Sequence, residues 1–427
     1  MINSIKTALG LASSAFLFKS LAFLGDPVGQ LETTNDLVAF SDRLRANRVV
    51  RSRIGALITA DYEVCADVLK SPNWITKPEP RNFLEELFLG PTAQSDKIDP
   101  FYDSLISKDG KEHTRIRKLV QPAFTQRVLQ SWYEAADKIA AKLVNEMSPS
   151  GNVELVSEWA NQLPLAMICE ILGVPLADQK YFTSWGNTLA IGLDGPRSMK
   201  QVRDYTTASN QLTAYMSNLL NERKNNPQAD LLSTLAQAEQ DGDNLSDREI
   251  VATAAFLLIA GFETTVNLLS VGTLTLIQNK EQLMSVAKNY DLIPQLVEET
   301  LRYVSPVQYT LRTASSPTQL VDGTVVNSGD TLLLMLVGAN RDPKMFASPH
   351  EFVVSRENAR RNLAFGYGAH QCIGAALARM EAEVAWRHLF LRFPDVEAWS
   401  LNGQPIIRPG RVIRGLQSLP VQLGQTS

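Results

Sequence analysis

The run from Ser246 to Gln278 restricts the fold more than any other stretch. Ser246-Asp-Arg-Glu249 is a capping box, serine at the N-cap and glutamate three residues on, and it marks a helix start. Continued to Gln278, the helix has roughly 32 residues and a length near 48 Å, enough to cross a whole domain. From Val251 to Phe262 it is apolar on every face except at Thr253. A helix apolar all round has to be surrounded by other elements, so the spacing predicts a central position. Into this run falls AGFETT, Ala260 to Thr265. Glu263 and Thr264 are unfavourable in such surroundings unless they have partners or a task. Gly261 weakens the helix there and lets a hydroxyl or water enter its hydrogen-bond ladder. The ordinary alternative is a helix that surfaces at Glu263, with Thr264 bonded back to a carbonyl.

A second constraint is FGYGAHQCIG, Phe365 to Gly374, which leads into the helical IGAALARM. Glycines at 366, 368 and 374 let backbone pass where a Cβ would collide with something large and flat. Cys372 enters a helix, and a helix N-terminus with its free N–H groups favours thiolate over thiol. A thiolate held by glycines and covered by Phe365 suits the axial position on a haem iron. Taken alone, Cys372 also reads as a free cysteine buried at a loop–helix junction.

Around these two stretches, helical periodicity dominates up to about residue 304. Asp61–Lys70, Ser131–Met147, Ser157–Leu172 and Val202–Arg223 read as helices, and Phe83–Tyr102 as a long irregular loop. Beyond residue 306, Thr318–Val326 alternates around the turn signal Asp322-Gly323, and Thr331–Val337 reads as a short apolar strand. Gly403–Pro405 and Pro409-Gly410 mark turns between short C-terminal strands. The expected fold is mainly α with a small β part.

The N-terminus is apolar from Ala8 to Leu24 but short for a spanning helix. On a helical wheel Lys6, Thr7, Gly10, Ser13, Ser14 and Ser20 share one side, with Ile5, Leu9, Ala12, Phe16 and Phe23 opposite. Lys19 interrupts the apolar region that a signal peptide needs. Residues 1–25 are therefore expected to form an amphipathic helix that packs on the body or lies on a membrane surface. Residues 26–427 are expected to form one catalytic domain.

The two constraining stretches resemble motifs of the cytochrome P450 family. FGYGAHQCIG resembles its haem-ligand loop, F-x-x-G-x-H-x-C-x-G, and AGFETT the oxygen-activating segment of its central helix, A-G-x-[DE]-T. Glu299-Thr-Leu-Arg302, within VEETLRYVSPV, resembles its E-x-x-R element, which ties to a further arginine at the position of Arg356. Where the family commonly has an acidic residue after a phenylalanine of that segment, Val353 follows Phe352 here. EHTRIRKLVQPAFT resembles the third major helix, and His113 and Arg117 at i, i+4 present donors to one side.

The resemblance implies a cytochrome P450 fold with the long helix lying over haem b. Cys372 is then the metal ligand, and Ala260, Phe365, Gly366 and Gly374 lie against the cofactor. His113, Arg117, Arg312 and His370 match positions that meet the haem propionates. Glu263 and Thr264 match the catalytic pair that supplies protons. Phe256 and Ile259, with Tyr309 and Leu311, are candidates for contact with an apolar organic substrate. Phe83–Tyr102 and Trp185–Pro196 are candidates for its roof. The implied reaction puts one oxygen atom of O2 into the substrate, with electrons drawn indirectly from NAD(P)H.

No G-x-G-x-x-G follows a strand and the cysteines do not cluster, so a separate ferredoxin and ferredoxin reductase are the expected partners. Arg115, Lys118, Arg360 and Arg361 are expected to receive the ferredoxin on the Cys372 side. Two alternatives share Cys372. A peroxygenase or isomerase needs no proton relay, and the presence of Glu263 and Thr264 argues against it; a haem-binding sensor needs no catalysis. Composition narrows the rest. With 41 basic and 45 acidic side chains and no basic arm, nucleic-acid binding has no support. Three cysteines, at 65, 169 and 372, fit no disulfide framework and suit a reducing compartment, so a cytoplasmic location is expected, and the overall cut of the chain resembles the soluble bacterial branch of the family.

Overall fold

The computed structural model describes residues 15–76, 97–195, 197–240, 243–408 and 410–425. Its central helix, Asp247–Gln278, is unbroken. The Ser246 N–H donates to the Glu249 carboxylate at 2.8 Å, and the Glu249 N–H donates to the Ser246 hydroxyl at 3.3 Å. Every residue from Ile250 to Ile259 is buried. The helices Gln162–Leu172, Gln179–Leu189, Met199–Asn225, Ile293–Val304 and Ala375–Arg392 pack around it. Leu257, Leu258 and Ile259 each contribute roughly 1.5–3 kcal/mol by leaving water. The helix is long and apolar enough to cross a membrane, but 78% of its most apolar window is buried within the protein.

The β part lies beside this helical body. Its five-stranded sheet runs in the order Val49–Arg51, Leu57–Thr59, Thr331–Leu334, Thr310–Ala314, Trp74–Ile75. Leu57–Thr59 and Thr331–Leu334 are parallel, and the other pairs antiparallel. Thr318–Gln319 pairs with Val325–Val326 across the Asp322-Gly323 turn.

Three elements differ from expectation. The apolar strand ends at Leu334, because the chain turns into the short helix Leu336–Ala339 where Gly338 packs against Ser41 and Ala60. The helix expected from Ser157 begins at Gln162, after a wide π turn over Val156–Ala160. Pro164 has no N–H for the Ala160 carbonyl, so a regular ladder cannot run through. At the N-terminus, residues 15–23 are helical, but Phe18 and Leu21 are the buried residues, whereas Phe16 is 75% and Phe23 92% exposed. The wheel puts Phe16 and Phe23 on the apolar side, to face either the body or a membrane surface. Packing on Val28, Leu31 and Phe40 selects the other face. Residues 77–96, most of the expected roof loop, lie outside the described residues.

Candidate active site

The loop before the Ala375–Arg392 helix is closed by the Cys372 N–H, which donates to the Phe365 carbonyl at 2.9 Å. Gly366 and Gly368 both take left-handed φ, 65° and 69°. At Gly368 a Cβ would strike the Leu69 carbonyl and the Lys70 Cα, so this glycine clears protein backbone rather than a flat ligand. At Gly366 and Gly374 such an atom would meet nothing closer than 3.9 Å. Cys372 is exposed, whereas Cys65 and Cys169 are buried. The protein packed around its sulfur raises the Cys372 thiol above the usual range, outweighing the Gly374 N–H and the charges of Arg117 and Arg379. The helix itself starts three residues later, at Ala375. A bound metal cation deprotonates such a thiol outright. The Arg379 guanidinium covers the Phe365 ring, 4.6 Å from its centroid.

His113, His370 and Arg312 line one cavity of about 780 Å³. The two imidazoles are 4.2 Å apart between ring centroids, and His370 Nε2 lies 3.0 Å from Asp109 Oδ1. Burial opposes the Asp109 charge, but His370 and the Thr76 N–H hold its carboxyl below the usual range. His113 Nε2 is buried without a hydrogen-bond partner among the described residues. Burial, then the charges of His370 and Arg117, lower His113 to about 4, so it is neutral at pH 7. Arg312 is buried and donates to the Thr310 hydroxyl and the Leu311 carbonyl, both neutral. Burial lowers it to about 10, partly offset by Asp109. An orphaned imidazole nitrogen and a buried guanidinium on neutral acceptors fit the anionic groups of a haem. Arg117 turns instead to the ligand loop, donating to the Gln371 carbonyl at 2.8 Å.

On the central helix Glu263 is fully buried, so the helix does not surface there. Its carboxylate pairs with Arg408, from the C-terminal strands. Thr264 donates to the Ala260 carbonyl at 2.7 Å, and Thr265 to the Gly261 carbonyl at 3.2 Å. The hydroxyls thus bond the ladder without breaking it.

Phe256 and Ile259 belong to the large core around this helix. Tyr309 and Leu311 pack in the N-terminal core with Phe18 and Leu31. Sequence reasoning missed Phe101 and Tyr205. Phe101 meets Phe256 edge to face at 5.8 Å and stacks on Tyr205 at 6.5 Å. No periodicity marks Phe101, which stands in a segment read as loop. Trp185–Pro196, the other roof candidate, is mostly helical, through Gln179–Leu189 and Ile191–Asp194; Pro196 lies outside the described residues.

Glu299, Arg302 and Arg356 are brought together in the interior. Arg302 donates to both Glu299 oxygens at 2.7 Å, and Arg356 Nε reaches the same two at 3.2 Å. The Val353 N–H donates to Glu299 at 2.9 Å, so backbone makes a contact there whatever the side chain. Arg302 also donates to the carbonyls of Asn340, Pro349 and Glu351, which ties the helix to the segment before the cysteine loop. Of the basic residues assigned to a partner surface, Arg115 is engaged by Glu249 and, with Lys118, lines the His113 cavity. Arg360 is exposed, 3.5 Å from Glu298.

Residues 196–409 match the family model described as Cytochrome P450. Over 391 residues the chain is 33% identical to the polyketide biosynthesis cytochrome P450 PksS of Bacillus subtilis, covering 90% of this chain and 94% of that one. Over 327 residues it is 36% identical to the 6-deoxyerythronolide B hydroxylase of Saccharopolyspora erythraea, covering 76% and 78%. Mycobacterium smegmatis CYP164A2 superposes with a TM-score of 0.82 at 32% identity, covering 93% of this chain and 99% of that one. P450BioI, solved with an acyl carrier protein bearing hexadec-9Z-enoic acid, gives 0.81 at 31%, covering 92% and 99%. With nine-tenths of its length aligned to bacterial relatives at this identity, the chain belongs to the cytochrome P450 family, haem-iron monooxygenases with a cysteine thiolate on the metal.

Proposed function

We propose that this enzyme oxidises a largely apolar substrate of acyl or polyketide type, using electrons from a separate ferredoxin and its reductase, in the cytoplasm. The observation that carries the monooxygenase reading is the juxtaposition of a buried carboxylate, Glu263, and a hydroxyl, Thr264, on the central helix. A sensor needs neither, and a peroxygenase or isomerase needs no proton supply. Haem, when bound, supplies the reductive activation of O2 and the transfer of one oxygen atom. The chain's own residues do the rest. Cys372 would hold the iron, while His113 and Arg312 offer donors to the propionates. Thr264 orders water beside the substrate, and Glu263 passes protons to it. Phe256, Phe101 and Tyr205 present an aromatic wall that excludes bulk water and favours an apolar ligand. The names of PksS and the hydroxylase, and the acyl carrier complex of P450BioI, support the substrate class.

The test is NAD(P)H-driven turnover of haem-loaded enzyme with a surrogate ferredoxin and reductase. Candidate substrates are first screened for the spectral shift that accompanies loss of water from the iron. Incorporation of one atom from labelled O2 is expected. Turnover with hydrogen peroxide alone, or none with any electron donor, would overturn the reading.

A further inference from the structure

Glu263 and Asn267 stand one turn apart on the central helix, and both are fully buried. Neither amide atom of Asn267 has a hydrogen-bond partner among the described residues, and beyond the Arg408 ion pair neither oxygen of Glu263 has one. Both side chains meet the same C-terminal hairpin, Ile406–Ile407 paired with Leu416–Ser418. Arg408 reaches Glu263, and Gly415 lies so close to the Asn267 amide that a Cβ there would overlap it. Arg408 and Gly415 are themselves paired, N–H to carbonyl, at 3.0 Å.

The hairpin is shaped for this contact. The register shifts between Ile406 and Ile407, which pair with Ser418 and Leu416 and leave Gln417 as the extra residue of the facing strand; such a bulge increases the local twist of the hairpin. Ile406 and Ile407 stay exposed while Arg408 turns inward. The turn of the hairpin is held elsewhere, by Asp194 accepting the N–H groups of Arg411 and Val412, and by Arg411 pairing with Glu32.

Buried polar atoms without protein partners are sites for internal water when several converge. Here the second oxygen of Glu263 and both amide atoms of Asn267 converge within one helical turn. Arg408 keeps 19% of its side chain exposed against none for Glu263, so the pair touches solvent through Arg408. We propose that Arg408 and Asn267 form the proton-entry side of the relay. Arg408 is a positioning residue that holds the Glu263 carboxylate toward the hairpin, and water on Asn267 reloads it. The proton that Glu263 passes toward the substrate is replaced by one from this water, which regains its own from solvent. Arg408 stays cationic throughout. This rests on the reading of Glu263 as the relay acid.

Infrared spectra of the haem-loaded protein test the pairing without turnover. Arg408→Met leaves a buried carboxylate without its counter-ion, which then takes up a proton. A carboxylic-acid C=O band should appear in Arg408→Met, vanish in Arg408→Met with Glu263→Gln, and be absent in Arg408→Lys. In turnover, Arg408→Met and Asn267→Leu should each lower kcat about tenfold or more, with a larger solvent isotope effect. The substrate-binding constant and the product per electron pair should be unchanged, and Arg408→Lys should recover most of the rate. The proposal is overturned if Arg408→Met shows no Glu263-dependent band, or if Asn267→Leu keeps the wild-type kcat and isotope effect. Asn267→Leu stays decisive even where Arg408→Met does not fold. Wild-type turnover in Glu263→Gln alone would instead overturn the relay reading beneath it, even with the band present.

Discussion

The hydroxyl of Thr264 donates to the carbonyl of Ala260, one turn back, at 2.7 Å. A threonine hydroxyl has one proton and two acceptor lone pairs. With its proton engaged, Thr264 offers only lone pairs to a neighbour, so it orders a donor such as water. Thr264→Ala should therefore fold, hold haem and bind substrate nearly normally. Product per electron pair should fall and hydrogen peroxide rise, while Thr264→Ser keeps the wild-type ratio. Full coupling in Thr264→Ala on a good substrate would remove this role from the AGFETT segment.

Glu263→Gln should behave differently. Proton supply fails before product and peroxide diverge, so overall turnover should slow by about tenfold to a thousandfold with little change in their ratio. Stopped-flow reduction and product analysis on the same preparation separate the two variants. Identical behaviour in both would contradict the division of labour.

Glu299 and Arg302 are both fully buried, and removing Arg302 leaves the Glu299 charge with only the longer Arg356 contact. Breaking such a pair costs about 3–5 kcal/mol. Arg302→Met should yield little folded, haem-loaded protein. Arg302→Lys should rescue poorly, because one ammonium cannot replace bidentate bonds to Glu299 together with three carbonyl contacts. Thermal unfolding of Arg302→Lys close to that of wild type would refute the account.

What the sequence disclosed was what neighbours in the chain determine. The Ser246 capping box is local chemistry, and the apolar run behind it leaves a central position as the only outcome. The i, i+3 spacing of Glu299 and Arg302 puts them in reach on any helix. Contacts set by distant packing were not legible. Nothing near Arg408 marks it as the partner of Glu263, and nothing near Phe101 marks it as a neighbour of Phe256. Gly368 was read as space for a ligand because the approach of Leu69 exists only in the folded chain. Which side of the N-terminal helix meets the body was not legible either, because apolar residues occupy both of its sides.

Among the three cysteines only Cys372 is exposed. Cys65 and Cys169 are enclosed in the core, where burial raises the Cys65 thiol well above its usual range and Cys169 to about 12. Cys372→Ser should lose the red-shifted Soret band of the reduced, CO-bound protein. Cys65→Ser and Cys169→Ser should keep it, and loss in either would overturn the assignment.

His113 gives the acid limb of apoprotein stability a definite sign. Its folded value is about 4 against 6.5 for the free side chain, with burial the main cause. Between those values the unfolded chain binds a proton that the native state refuses, so stability falls as pH falls from 6.5 toward 4. Above 6.5 both states are neutral at this residue and the effect vanishes. Asp109, which contacts His370, has its carboxyl held below the usual range and adds its own loss only at still lower pH. His113→Gln keeps a donor but does not titrate, so wild type should lose ground to it progressively across the window. Urea unfolding of both apoproteins at stepped pH measures this, and equal slopes would refute it. His370→Gln should narrow the window, because a neighbouring charge that depresses His113 is removed. Haem should narrow it further: an anionic group beside Nε2 favours the imidazolium, so the folded value rises toward 6.5 and less stability is lost in acid.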